Sequence, residues 1–240
     1  MNSRRNFLKA ATVGAVGMAA SVGAVEAAEV SKTSPKNTPY DLIVLGAGCG
    51  GLVCSVRAAE VGLKVLLLEK MGMPFGNTVY AAGFMLGVNT SFQKGKDLPP
   101  DSVDAFYEDM MKVSQQKADP KLTRKVAEEC TQTLEWLHSF CGIQFAAGSK
   151  LVWPMLSRAH LVQGEVKPGG GQLARQLLEK AKSLGVEVRF NTKAIELLRD
   201  PKTGGVTGVK TQTKEGLSDV FSKHGVVVAT GGFSANQQLV

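Results

Sequence analysis

Tyr40-Asp41-Leu42-Ile43-Val44-Leu45-Gly46-Ala47-Gly48-Cys49-Gly50-Gly51 is the stretch on which the fold turns. Its first half is a short apolar run, rich in branched residues, that stops abruptly at glycine. That is the pattern of a parallel strand buried on both faces. Its second half reads G-x-G-x-x-G. Leu52 to Val61 then carries helical spacing with Ala58 and Ala59 and closes at Gly62, and Lys64-Val65-Leu66-Leu67-Leu68 reads as a second strand ending in Glu69. Strand, glycine turn, helix, strand and acid follow in the order of a dinucleotide-binding unit, with Glu69 lying 18 residues beyond Gly51. Each part has a physical task. Gly46 permits the tight turn, Gly48 lets main chain approach a pyrophosphate, and Gly51 lets helix and strand pack closely. The helix N-terminus offers N–H groups to the phosphates, and Glu69 can accept both ribose hydroxyls while disfavouring a 2′-phosphate.

Outside that unit, composition narrows the choices. The chain has 240 residues, 44% hydrophobic and 20% charged, enough for one sizeable core or two modest domains. No apolar run after residue 30 reaches the roughly 18 residues of a membrane span, which excludes an integral membrane body. The 27 glycines against 9 prolines indicate tight turns rather than disorder. A net charge of +7 raises the question of nucleic acid, but 28 basic and 21 acidic residues are interspersed, with three Tyr and two Trp for stacking. That pattern argues against a nucleic-acid partner. Cys49, Cys54, Cys130 and Cys141 have no zinc or haem-attachment spacing, and Cys49 and Cys54 are poorly placed for a disulfide across a turn and helix.

The N-terminus reads as an address. Arg4, Arg5 and Lys9 precede a weakly apolar Ala/Gly/Val stretch and then small residues around Val25-Glu26-Ala27-Ala28. Ser3-Arg4-Arg5-Asn6-Phe7-Leu8-Lys9 resembles the twin-arginine signal, which is read by a translocase for folded cargo. The alternatives are a general secretory signal or an ordinary amphipathic terminus. The twin-arginine reading implies delivery to the periplasm or cell exterior with a cofactor already captured. Ser31 to Pro39, rich in Ser, Thr, Pro and Lys, is a linker.

After Glu69-Lys70 a nicotinamide enzyme would proceed to its next helix. Here Met71-Gly72-Met73-Pro74-Phe75-Gly76-Asn77-Thr78-Val79-Tyr80-Ala81-Ala82-Gly83 is a glycine-interrupted loop able to lie along a large flat ligand. It resembles the E-K-x-x-x-x-G-G-N-[ST/A]-x-x-A-x-G-G signature of the fumarate reductase and succinate dehydrogenase flavoprotein family, although Phe75 and Phe84 stand where the family usually has Gly. Gly225-Val226-Val227-Val228-Ala229-Thr230-Gly231-Gly232-Phe233-Ser234 matches the family's A-T-G-G-F strand end. The family includes soluble fumarate reductases, urocanate reductases and ketosteroid dehydrogenases. The resemblance implies FAD, with Gly46, Gly48, Gly50, Gly51, Glu69, Lys70, Asn77, Thr78, Gly83, Ala194, Thr230 and Gly231 as its ligands. It places Asn77, Thr78 and Gly83 along the flavin and Ala194 at the adenine. Respiratory members attach flavin through a His where this chain has Asn77, so non-covalent FAD is implied.

The resemblance further implies hydride transfer to the C=C of a small unsaturated carboxylate such as fumarate or urocanate. A cytochrome or quinol-linked carrier would be the external electron donor. The expected fold class is α/β: a Rossmann-like FAD-binding domain of glutathione-reductase type with the beginning of an inserted α+β capping domain. The expected divisions are signal 1–27, linker 28–39, FAD-binding domain 40–98, start of the cap 99–168, and FAD-binding domain resumed over 169–240. Within them, Asp101 to Gln115 and Pro120 to Leu137 have amphipathic spacing (Val103, Phe106, Met110; Val126, Leu134, Leu137). Gly169 to Ser183 reads as a helix, Val186 to Ala194 as one strand, and Gly205 to Val209 as a short β turn-and-strand. Gln237 to Val240 looks like the first turn of a helix capped near Ser234, with no stop signal after it. By resemblance the chain corresponds to the N-terminal half of such an enzyme, with the catalytic residues beyond residue 240 and unassigned. The rival expectation is a non-catalytic FAD-binding subunit, or fragment, that needs a second chain.

Single residues read plainly. Cys49 is a small loop residue rather than a redox thiol. Arg158 and His160 are structural or hydrogen-bond the flavin edge rather than catalyse. His138 is packed, His224 is exposed, and Met71, Met73, Met85, Met110 and Met111 are apolar filler.

Overall fold

A computed structural model describes residues 40–74, 76–147 and 157–233; the signal-like segment, Phe75 and the helix expected from Ser234 lie outside them. β1 (Leu42–Leu45), α1 (Cys49–Glu60) and β2 (Val65–Leu68) form the expected crossover unit, with β1 and β2 parallel from Leu42↔Val65 to Leu45↔Leu68. The helix starts at Cys49, inside the glycine motif, rather than at Leu52. Two features follow β2: the single turn α2 (Asn77–Tyr80) and β3 (Phe84–Leu86).

Next come α3 (Val103–Val113), capped by Ser102 accepting from the Ala105 N–H, and α4 (Pro120–Ser139), capped by Asp119 accepting from the Leu122 N–H. Each cap satisfies an otherwise unpaired donor and fixes where its helix begins. On α3 and α4, Phe106, Leu134 and Leu137 are buried as their spacing requires, but Val126 is 48% exposed. β4 (Phe145–Ala147), β5 (Ala159–Val162), α5 (Gly169–Ser183) and β6 (Glu187–Arg189) follow. The chain then forms β7 (Lys193–Arg199), β8 (Val206–Thr213), β9 (Gly216–Phe221) and β10 (Val226–Val228).

Among the described residues the strands form three sheets. The parallel one has order β10-β1-β2-β6, an antiparallel one β3-β5-β4, and an antiparallel meander β7-β8-β9. Side-chain alternation explains why the central strands read as unbroken apolar runs. Val44, Val65 and Leu67 pack with residues of α1 and α5, while Ile43, Leu45, Leu66 and Leu68 pack against Val209 and Val220 of the meander. Both faces of β1 and β2 are therefore covered, and Ile43 to Leu45 and Val65 to Leu68 are all buried.

The stretch read as one strand from Val186 to Ala194 is two strands in different sheets. Asn191 takes φ +52°, its N–H donates to the Met71 carbonyl, and the Thr192 N–H donates to the Glu69 carbonyl. These bonds pin a corner between β6 and β7 onto the loop leaving β2. The expected short strand at Gly205–Val209 is the beginning of the longer β8, which pairs on both sides. Phe84–Leu86 pairs with β5, which places it in the same sheet as the strands on either side of residue 150, although the expected division set it in the nucleotide domain.

Candidate functional site

The carboxyl ends of β10, β1 and β2 open into a cleft of about 650 Å³, the location expected for a ligand of an open parallel sheet. Gly46, Gly48, Gly50, Glu69, Lys70, Asn77, Thr78, Thr230 and Gly231 line it, together with Cys49, Met71, Gly76, Tyr80, Ala229 and Gly232. Residues from four separate sequence regions thus converge on one volume.

Two glycines are needed for the turn itself. Gly46 has φ +100°, and a Cβ there would come 2.6 Å from the Ala229 carbonyl oxygen of the neighbouring strand end. A Cβ on Gly51 would lie 1.8 Å from the Gly46 carbonyl oxygen, so helix and turn touch through bare backbone. At Gly50, by contrast, a Cβ meets nothing within 4 Å. α1 has no side-chain cap and no acidic residue in its first turn. Its first N–H groups precede any intrahelical partner, and the Cys49 N–H is already taken by Thr78 Oγ1 at 2.9 Å. The end of α1 at the cleft therefore carries an uncompensated positive dipole suited to a phosphate.

Glu69 is 7% exposed and does more than face a sugar. Its Oε2 accepts the Ala47 N–H at 2.8 Å and its Oε1 accepts the Met71 N–H at 2.9 Å. One carboxylate thus ties the glycine turn to the loop after β2. Each oxygen keeps further lone-pair capacity, enough for the two ribose hydroxyls expected from the sequence. Burial pushes the Cys49 thiol above its ordinary value, which leaves it a poor nucleophile and suits its reading as a small loop residue.

Three expected ligands do not line the cleft. Gly51 sits behind it. Gly83, at φ +91°, packs its backbone against α5, where a Cβ would come 2.7 Å from Gly169 Cα. Ala194 lies on β7, half-buried beside the meander's core. Met71 and Met73 are 40% and 61% exposed, which corrects their reading as filler; Met111 is buried as expected.

Arg158 and His160 lie apart from the cleft lining, on and just before β5. Arg158 is 1% exposed; its Nε and Nη2 donate to the two carboxylate oxygens of Asp101 at 2.6 and 2.7 Å, and its Nη1 donates to Asp109 at 2.7 Å. His160 is fully buried, with Nδ1 2.7 Å from the Arg158 carbonyl and Nε2 2.7 Å from Thr90 Oγ1. A carbonyl can only accept, so Nδ1 carries a proton, and burial holds the ring's pKa below the ordinary histidine value. His138 is likewise packed, with Nδ1 2.9 Å from the Ile143 carbonyl and its ring edge-on to Phe92, and His224 is exposed. Among the described residues no group of His, Cys, Asp and Glu could hold a metal ion, and no helix is long and apolar enough to cross a membrane.

The family model for the FAD binding domain matches residues 41–240. The chain belongs to this FAD-binding family. It is 32% identical over 207 residues to an NADH:fumarate oxidoreductase of Klebsiella pneumoniae, covering 86% of this chain and 22% of that protein. It is 33% identical over 210 residues to a urocanate reductase of Eggerthella lenta, covering 84% of this chain and 33% of that one. Its fold superimposes on the open conformation of a flavocytochrome c3 fumarate reductase with a TM-score of 0.77 at 30% identity, covering 86% of this chain and 36% of the other. The chain thus spans between about a fifth and just over a third of the length of these relatives. Its cofactor is FAD, and the cleft fits one. It has the volume of a ligand site, a bare helix N-terminus for a pyrophosphate, open space at Gly50, and a buried carboxylate with acceptor capacity to spare.

Proposed function

We propose that this chain is the FAD-holding portion of an exported oxidoreductase that reduces the C=C bond of a small unsaturated carboxylate of the fumarate or urocanate kind. The observation that carries the reading is the single cleft across the ends of β10, β1 and β2, with bare glycine backbone at its centre and Glu69 at one side. When bound, FAD supplies two-electron hydride chemistry. The chain's own residues bind and orient it. In this reading the main chain of Gly48 and the Gly50 N–H meet the pyrophosphate, Glu69 the ribose, and Lys70 the adenosine side. Asn77 and Thr78 flank the flavin side, and Thr230 and Gly231 close over it from β10. Gly83 acts one step removed, by letting the loop seat on α5. Asn77 stands where respiratory members of the resembled family attach the flavin through a His, and this supports an FAD held without a covalent bond. An external cytochrome or quinol-linked carrier delivers the electrons.

Acid or heat should therefore release yellow flavin into the supernatant, and reduced dye should be reoxidised by fumarate, urocanate or acrylate in the presence of the full-length flavin-loaded protein. Colour that stays with the precipitated polypeptide overturns the non-covalent reading. Failure of all three acids to reoxidise the dye overturns the substrate class.

The domain reading goes with this proposal: signal 1–27, linker to residue 39, and a FAD-binding unit interrupted by the start of a cap. Export rests on Arg4-Arg5 and the weakly apolar stretch after them. Replacing both arginines by lysine should strand the precursor in the cytoplasm, because the twin-arginine translocase reads the pair itself and not its charge. Unchanged delivery to the periplasm would show another route.

A further inference from the structure

We infer that Tyr80 is the aromatic wall against which the isoalloxazine ring of the flavin stacks; the inference rests on the FAD reading above and adds a residue that the sequence motifs did not single out. Asn77 and Tyr80 are i and i+3 of one helical turn, so both side chains lie on one face, and both line the cleft. The turn is held at both ends. Thr78 Oγ1 accepts the Cys49 N–H at 2.9 Å, which ties it to the start of α1. At the other end the Gly170 N–H donates to the Ala81 carbonyl at 3.0 Å and the Gly169 N–H to the Ala82 carbonyl at 3.2 Å. Close approach enforces the second anchor, since a Cβ on Gly170 would lie 2.0 Å from the Thr78 carbonyl oxygen.

On this fixed support the Tyr80 ring is 69% exposed, and among the described cleft-lining residues it is the single aromatic. A large ring on a cleft wall gains its burial when a ligand covers it, and offset stacking on another planar ring is the favoured geometry. The end of the cleft identifies which ring. Glu69 marks the ribose end, above β2. Asn77, on the same face of the same turn, stands at the flavin side in the reading above, so Tyr80 belongs with the flavin half of the dinucleotide rather than its adenine.

A tyrosine in contact with a flavin quenches its fluorescence, because the electron-rich phenol reduces the excited ring; phenylalanine packs alike and does not. The test uses the full-length flavin-loaded protein, with Tyr80→Phe, Tyr80→Leu and, as a control, Tyr107→Phe, whose ring on α3 lies under the Arg124 guanidinium. Emission yield and lifetime are read at matched flavin content. The expected result is a severalfold rise in both for Tyr80→Phe and Tyr80→Leu and none for Tyr107→Phe. Tyr80→Phe should keep its flavin as the parent does, while Tyr80→Leu should lose part of it. Full flavin content with unchanged emission in both Tyr80 variants overturns the inference and leaves the FAD reading intact. A parent that holds no flavin overturns both.

Discussion

Gly51→Ala should weaken flavin binding at least tenfold, while Gly50→Ala, its immediate neighbour, should leave a protein that folds as well as the parent or better. The two substitutions add the same methyl group to adjacent positions of α1. At Gly51 that methyl would sit 1.8 Å from the Gly46 carbonyl oxygen and 3.4 Å from the Ala229 side chain. No rotamer relieves it, because the obstacle is backbone, and Gly46 itself sits close to the next strand end, where a Cβ on it would come 2.6 Å from the Ala229 carbonyl oxygen. The turn must open, which costs about 1–3 kcal/mol of stability as overpacking. Opening it also draws the Ala47 N–H of the turn away from Glu69 and the Cys49 N–H at the start of α1 away from Thr78. Flavin affinity should fall at least tenfold, about 1.4 kcal/mol or more. At Gly50 the methyl meets no protein atom, and alanine in a helix is favoured over glycine by about 0.5–1 kcal/mol. Because the open space at Gly50 faces the cleft, its variant should nonetheless bind flavin less tightly. Equilibrium unfolding and flavin titration of the two purified variants separate these effects. A Gly51→Ala protein that binds flavin like the parent would overturn this account of the cradle.

That contrast shows what the sequence could and could not convey. Strand, turn, helix, strand and acid occupy thirty consecutive residues, and their roles depend on local geometry, so Gly46 to Glu69 could be read directly. The loop from Asn77 and the end of β10 were legible through their resemblance to a family's signatures rather than from local geometry. What escaped depends on contacts far apart along the chain. Nothing local to Val186–Ala194 announces a break; the corner exists because the main chain of Glu69 and Met71 supplies acceptors for Thr192 and Asn191. Ala194 and Gly83 fall outside the cleft because of where β7 and α5 pack. Tyr80 was available in principle, since it stands one helical turn after Asn77, but the expected element there was a loop. Met71 and Met73 looked like filler because hydrophobicity alone does not tell a core from a cleft rim. The dual role of Glu69 was equally hidden, since its grip on Ala47 and Met71 depends on the turn already being folded.

Arg158 marks the other limit of sequence reading, and its removal should be the most damaging single change in the second sheet's neighbourhood. The R-x-H pair was visible, but its partners, Asp101 and Asp109, lie 57 and 49 residues away along the chain. The guanidinium is 1% exposed, with Asp101 at 10% and Asp109 at 22%, so two carboxylates share one desolvated cation. It also lies 4.9 Å over the Phe106 ring, in the small core that α3 and α4 share. Arg158→Leu keeps much of the side-chain volume but removes the buried cation to which both carboxylates are bonded. Removing one partner of a buried pair costs about 3–5 kcal/mol, a large share of a domain's stability. The loss should spread toward the cleft, since the Gly87 N–H donates to the Arg158 carbonyl and β3, which leads back to the loop of Asn77 and Tyr80, pairs with β5. Urea unfolding of Arg158→Leu should show that drop, together with weakened flavin retention. Adding Asp101→Asn and Asp109→Asn to the same protein should recover part of it, because the uncompensated charges then disappear while the packing defect stays. An Arg158→Leu variant within about 1 kcal/mol of the parent, the size of an exposed ion pair, would show that the triad does not hold this region together.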